Sequence, residues 1–318
     1  MQMFDYVGKR KYFFILSSAL LLIGLVSLIA RQGLNLDIQF RGGTQIEIQM
    51  ENGDFDADKA SNVATGAIGK RIQAQKSQTL DSKNNNASIS FLVIKSSGKL
   101  TDDERNKVLT ALKSEFNVKE DGEMIVRDVD PSIGAELLTK GLLAVALSMV
   151  LLILYIGIRF NMMSGLVAGF TAVVAVLHDV LMMVAVYAVF NIPVNDSFIA
   201  AVLTILGYSV NDTIVIYDRI RENSKISRKD SIRALVNNSI NQSMTRTINT
   251  TVTTLICVIT VYAFAVYNGI GSIQEFTFPL IIGLISGTYS SIFIASPLWE
   301  LLKEKQAKKK AAARPAKA

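Results

Sequence analysis

The chain has 318 residues, half of them hydrophobic, with a mean hydropathy of +0.35 and a formal charge of +6. Six apolar runs approach or exceed the roughly 20 residues needed to cross a bilayer, which excludes an ordinary soluble protein whose helices alternate polar and apolar faces. No GxxxxGK[ST] nucleotide loop and no nucleophile–base pair is evident, so an enzyme is not expected. The positive charge lies in particular loops and not in one patch, so nucleic acid is not expected as a partner either.

The first apolar run, 12–30, follows Lys9, Arg10 and Lys11. At about 18 residues it exceeds a signal-peptide core, and LIARQG is a poor cleavage site, so it reads as a retained span. Residues 32–137 then form the one segment long enough to fold outside the membrane. Within it TQIEIQM (44–50) alternates as a strand, with Ile46, Ile48 and Met50 on one face. The stretch 56–75 has apolar residues near helical spacing at Val63, Ala67 and Ile68. ASISFLVIK (87–95) is a second strong strand, and NNN (84–86) supplies the turn before it. TDDERNKVLTALKSEF (101–116) opens with a Thr-x-x-Glu capping box and buries Val108, Leu109, Leu112 and Phe116. With weaker strands near 76–82 and 122–130, the order is β-α-β-β-α-β, a small α+β domain of ferredoxin-like type. It contains neither His nor Cys, which makes it a packing or binding module.

Five further spans are expected at 138–158, 163–190, 197–217, 245–267 and 276–299. Arg159, the basic loop after the fourth span and the Lys-rich end all fall on one side of a six-span chain. That distribution puts both termini in the cytoplasm and residues 32–137 outside it. Gly165 with Gly169, and Gly283 with Gly287, mark close helix packing. Pro279 is placed to kink the sixth span and Pro297 to end it. Cys257, the sole cysteine, lies in the apolar fifth span and is not read as reactive. The expected division is 1–31 for the N-terminus and first span, 32–137 for the outer domain, 138–299 for the five-span bundle and 300–318 for a basic tail.

Polar residues inside the spans are the candidate site. Asn211 and Asp212 interrupt the fourth span, where a carboxylate at bilayer centre costs roughly 2.5–3.5 kcal/mol. Arg219 is about 10 Å further along the same helix, too far to pair directly. Arg246, at the inner end of the fifth span, is expected to face Asp212 across the bundle interior. Asn249, Thr250 and Thr253 would extend a polar face from it. Tyr208 shares the Asp212 face, and the third span adds His178 and Asp179. Asp212 and Arg246 are either a titrating pair or a static ion pair that sets helix register. His178 and Asp179 are either participants in that site or interhelical hydrogen-bonding groups.

GYSVNDTIVIYDRIREN (207–223), FRGGT (40–44), HD (178–179), SMTRTINTTVTT (243–254) and GTYSSIFIASPL (287–298) together resemble the SecD/SecF family of bacterial protein-export membrane subunits, on its SecF side. The resemblance runs in order through the whole chain, although the outer domain beyond FRGGT agrees only in length and pattern. It implies half of an RND-type bundle, paired with SecD, another six-span subunit. It further implies a place in the bacterial plasma membrane beside the SecYEG channel, handling secreted preproteins. No cofactor is implied beyond protons as the coupling ion. Asp212 and Arg246, with Asn211 beside them, would form the proton path, completed by an acid of SecD. His178, Asp179, Tyr208 and Thr250 would be auxiliary. Phe40, Arg41, Gly42 and Gly43 would sit at the base of the outer domain. An RND-like half-transporter for a small molecule or lipid, and a scaffold that transduces nothing, remain as alternatives.

Overall fold

The computed structural model describes residues 4–51, 53–80, 88–119, 121–226 and 230–312; the turn expected at 84–86 lies outside them. The elements in chain order are α1 (Arg10–Ala30), α2 (Ile38–Arg41), β1 (Gly43–Gln49), α3 (Ala57–Ile68), β2 (Ile72–Leu80), β3 (Ser88–Ser97), α4 (Asp102–Glu115) and β4 (Met124–Val129). They continue with α5 (Pro131–Arg159), α6 (Gly165–Phe190), α7 (Asp196–Ile226), α8 (Ile232–Tyr267), α9 (Gly271–Ser290) and α10 (Ser296–Ala312). Six helices among the described residues are long and apolar enough to cross a membrane, the last running through α9 and α10 to Lys309. All six coincide with the expected spans, and most run further at their ends.

The four strands form one antiparallel sheet in the order β2-β3-β1-β4. The alternation read in β1 puts Ile46, Ile48 and Met50 in the core, with Ile46 opposite Ile94 and Ile48 opposite Leu92. Helices α3 and α4 cover that face with Ala60, Ala64, Val108 and Leu112. The capping box holds as expected: Thr101 accepts from the Glu104 amide, and the Glu104 side chain accepts from the Thr101 amide. The helix expected over 56–75 stops seven residues early, at Ile68. Gly69 adopts φ 68°, returns its N–H to Thr65, and turns the chain into β2. The apolar period there falls from helical spacing to two, with Ile72 and Ala74 both facing the core.

In the bundle α6, α7 and α9 are the inner helices, while α1, α5 and α8 leave most of their apolar surface open. Gly165 of α6 meets α5 so closely that a Cβ would lie 1.9 Å from the Gly157 carbonyl oxygen. This is the contact the small-residue pair predicted. Pro297 was expected to end the sixth span, but it does not. Ser291–Ala295 forms a π-turn just before it and the helix resumes as α10. The wider turn accommodates the N–H that proline lacks and the ring that would strike the preceding turn.

The sheet is attached to one end of the bundle. Leu36 and Val194 form a parallel bridge, and Asp37 N–H donates to the Val194 carbonyl at 2.9 Å. On the opposite sheet edge Asp128 accepts from Thr44 Oγ1 at 2.6 Å and from Arg105 at 2.6 Å. The Thr44 hydrogen bond, aided by the Arg105 guanidinium, holds the Asp128 carboxyl below its ordinary value of 3.8. A carboxylate depressed in the folded state stabilises it fully above the unfolded value and loses that effect as pH falls through the folded one. Asp128→Asn is therefore expected to melt at lower temperature than wild type at neutral pH. The gap should close as pH drops below 3.8, followed by circular dichroism on the purified chain. A gap independent of pH would remove the carboxylate's charge from the account.

Candidate functional site in the helix bundle

The inner helices pack through two apolar clusters, one around Phe40, Met183 and Phe198 near the sheet, the other around Phe160, Tyr217 and Trp299 at the far end. Between them lies a polar layer centred on Asp179 of α6, which is fully buried. Its Oδ1 accepts from Ser286 at 2.7 Å, and its Oδ2 from Ser209 at 2.7 Å and Ser290 at 2.8 Å. His178 Nδ1 lies 3.2 Å from Oδ1. Ser286 and Ser290 are four apart and so share one face of α9. That face can reach Asp179 because Gly283 and Gly287 bring α9 against Ile205 and Ser209 of α7. Charge-assisted hydroxyl bonds of this kind are stronger than neutral ones and stand in for the water a carboxylate would otherwise hold. Ser209, Thr213 and Tyr217 continue the layer down α7 at four-residue spacing. Thr213 pairs with Ser291 at 2.9 Å and Tyr217 with Thr171 at 2.7 Å.

His178 stacks on Tyr289 with centroids 6.0 Å apart, and its buried Nε2 has no hydrogen-bond partner among the described residues. Tyr289 in turn bonds Ser17 and the Phe13 carbonyl of α1. The histidine–aspartate pair therefore anchors α1, α6, α7 and α9 together.

Asp212 is also buried, at 2% exposure, but its surroundings are poorer. Its Oδ2 has no partner among the described residues, and the side chains acting on the carboxyl are Thr288 and, electrostatically, Arg246. Thr288 pairs with Thr251 of α8 at 2.7 Å, and Tyr208 reaches Thr251 at 3.4 Å. No ion pair joins Asp212 to Arg246 within 4.0 Å, so the expected face-to-face contact across the interior is not formed. Arg246 is exposed, on an open groove of about 490 Å³ shared with Asn211, Asp218, Arg219 and Gln242.

The buried stripe of α8 is Ser243, Thr247 and Thr251, one helical position away from the polar face expected through Arg246, Asn249, Thr250 and Thr253. Arg246, Asn249 and Thr253 point outward, and half-buried Thr250 bonds the Arg246 carbonyl at 2.9 Å. A small hydroxyl can bond its own helix, as Thr251 does on the Thr247 carbonyl at 2.9 Å, whereas a guanidinium on that stripe would need an acid of its own.

The FRGGT residues lie at the junction of sheet and bundle. Phe40 is buried in the upper apolar cluster, and Arg41 is exposed. Gly42 has φ 78°, and a Cβ there would stand 2.6 Å from the Pro131 nitrogen. One on Gly43 would stand 2.1 Å from the Ser96 carbonyl oxygen. Neither position has room for a side chain. No group of three or more His, Cys, Asp or Glu side chains that could hold a metal occurs among the described residues.

Ser286, Ser290, Thr251 and Thr288 were not singled out from the sequence. Their legible signal was the pair of serines four apart in the sixth span.

The family profile "Protein export membrane protein SecD/SecF, C-terminal" matches residues 108–305. The protein translocase subunit SecF of Alicyclobacillus acidocaldarius is 36% identical over 310 residues, covering 96% of this chain and 95% of that one. The chain belongs to the SecD/SecF family. It is a multi-pass helical membrane protein, and Asp179, Asp212 and Arg246 all fall inside the SecD/SecF match. SecDF of Bacillus subtilis is 33% identical over 98% of this chain but only 40% of its own length. The crystal structure of SecDF from Thermus thermophilus, described as a translocon-associated membrane protein, superposes with a TM-score of 0.73 at 29% identity, over 96% of this chain and 39% of that one. A second SecDF structure, in a super-membrane-facing form, gives 0.70 at 30% identity over 99% of this chain. The chain thus spans about two fifths of the SecDF proteins and nearly all of the separate SecF subunits.

The two buried acids should respond differently to substitution. Asp179→Ala strands three buried hydroxyls and is expected to cost about 2–4 kcal/mol of stability. Asp212→Asn, which breaks no satisfied network, is expected to stay within about 1 kcal/mol of wild type. Thermal unfolding in detergent compares the two directly, and equal losses would refute the distinction.

Proposed function

We propose that this chain is an auxiliary subunit of the Sec protein-export machinery that, together with a SecD subunit, couples the proton-motive force to the movement of secreted polypeptides through SecYEG. In this reading it lies in the bacterial plasma membrane with both termini in the cytoplasm. Residues 32–137 are the extracytoplasmic domain, 138–299 the five-span bundle and 300–318 the basic tail. The βαββαβ order and the β2-β3-β1-β4 sheet support a ferredoxin-like assignment for that domain. The relatives in which SecD and SecF are one polypeptide support the SecD partner.

The observation that carries the proton role is Asp212 itself. One carboxylate oxygen is buried without a hydrogen bond among the described residues, and Arg246 faces an open groove instead of closing on it. Burial disfavours the ionised form, and an approaching guanidinium favours it, so a change in their separation loads and unloads a proton. Asn211 and Arg246 share the groove wall, where an acid from a second subunit would complete the path. The electrical part of the gradient supplies about 2.3 kcal/mol per charge per 100 mV, enough to bias such a site. Asp179 is the positioning group in this scheme: its cage keeps α7 and α9 in register while Asp212 titrates.

Asp212→Asn and Arg246→Met are each expected to abolish the gradient-dependent stimulation of preprotein secretion while co-purification with the SecD-type chain survives. Lys225→Gln, at an exposed charge, should leave both intact. Inverted vesicles assayed with and without an uncoupler provide the measurement. Unaltered secretion and unaltered uncoupler sensitivity in Asp212→Asn would leave only a scaffold. Intact secretion with altered tolerance to a toxic compound would point to a half-transporter.

A further inference from the structure

On the sheet side of the bundle a cleft of about 540 Å³ opens between α1, α5, α6 and α7. Its walls are aliphatic and aromatic, among them Leu28, Leu142, Val184 and Phe198, and its only polar members are Gln32 and Arg41. The volume lies within the roughly 300–1,000 Å³ typical of small-molecule sites. The cleft is thus apolar along its length and cationic at one end.

That cation is available. Arg41 is exposed and donates one N–H to the Leu34 carbonyl at 3.0 Å, leaving most of its five donors unused. No carboxylate lies within 4.0 Å of it among the described residues. The neighbouring Asp37 is already taken by Lys95 at 2.8 Å. Arg31, at the end of α1, is likewise exposed, bonded only to the Val189 carbonyl at 3.1 Å. Neither guanidinium has an ion-pair partner among the described residues, and Arg41 lines the apolar cleft.

We propose that this cleft holds an acyl chain of an anionic phospholipid, whose phosphate is bound by Arg41. The polarity of the site matches that of the ligand: a long apolar wall for the chain, and a forked donor set at its mouth that suits a phosphate oxygen pair. Basic pockets between membrane helices take anionic headgroups for this reason. A protein segment fits less well, because a guanidinium at one end only would select an amphiphile. Arg41 belongs to the turn whose glycines seat the sheet on α5, so the lipid would brace the joint between sheet and bundle. The inference is independent of the proton role argued above.

The test is native mass spectrometry of the full chain ejected from nanodiscs of phosphatidylethanolamine, with and without phosphatidylglycerol. The wild type is expected to retain phosphatidylglycerol in preference to phosphatidylethanolamine. Arg41→Gln should lower that retention about fivefold, the effect of one interfacial cation. Val184→Trp, which fills the cleft, should remove bound lipid of either kind, while Lys113→Gln on α4 should change nothing. Equal retention of the two lipids, or an Arg41→Gln variant that holds phosphatidylglycerol as well as wild type, overturns the proposal. So does loss of the lipid once a SecD-type chain is bound, which would assign the cleft to a protein contact. Should Val184→Trp fail to fold, the exposed Arg41→Gln decides alone.

Discussion

A carboxylate can sit in the centre of a membrane bundle only if something replaces its water, and at Asp179 three serine hydroxyls and an imidazole do so. This is the interaction on which the arrangement of the inner helices depends. Each serine donor reaches the carboxylate at 2.7 or 2.8 Å, and they come from two different helices. Sliding α7 or α9 by one residue would leave hydroxyls and carboxylate unpaired in a dry setting. The glycines on α9 follow from the same demand, since larger side chains would hold Ser286 and Ser290 out of range. Apolar packing above and below the layer is non-directional and sets no register by itself. The hydrogen bonds set it.

The second acid is understood by contrast with the first. Asp179 and Asp212 are both buried, on adjacent inner helices, and sequence alone offers no way to rank them. Their neighbours do. Asp179 has donors for both oxygens, so its place is fixed. Asp212 keeps one oxygen unpartnered, and the cation acting on it stands on another face. Burial without a partner for that oxygen is the feature on which the proposed proton role rests. The bundle thus combines one acid that locks its helices with one that is left unsatisfied, and the rigidity of the first keeps the second from relaxing into a partner.

Much of this architecture could be read from the residues. The spans stood out because six runs of this length have no other use, and β1, β3 and α4 because period-two alternation and a capping box are local signals. The boundary of α3 was misplaced because Val63, Ala67 and Ile68 continue into Ile72 without a break in hydrophobicity. Only the left-handed turn at Gly69 separates them. Pro297 misled for a related reason: a proline inside a helix predicts an end, and the π-turn that absorbs it has no sequence signature. Arg246 was assigned inward because charge attracts attention, whereas the buried face of α8 belongs to the small hydroxyl residues Ser243, Thr247 and Thr251. The serine cage was hidden because its serines come from two spans and meet the aspartate of a third only when the helices pack.

The junction with the sheet extends the same physics outward. Lys95 of β3 bonds Asp37 at 2.8 Å and stands 3.8 Å from Glu275 at the start of α9. Glu275 also receives Asn195, just before α7, at 2.6 Å. Phe40 is inserted in the upper apolar cluster, and the two glycines after it leave no space between β1, β3 and the start of α5. A shift of α9 against α7 must therefore break the Glu275 contacts or carry β3 with it. The contacts at this end are few and charged, while those at the Asp179 layer are buried and complete. Lys95 thus ties β3 to α9 through Glu275, and Asn195 ties the same glutamate to the start of α7.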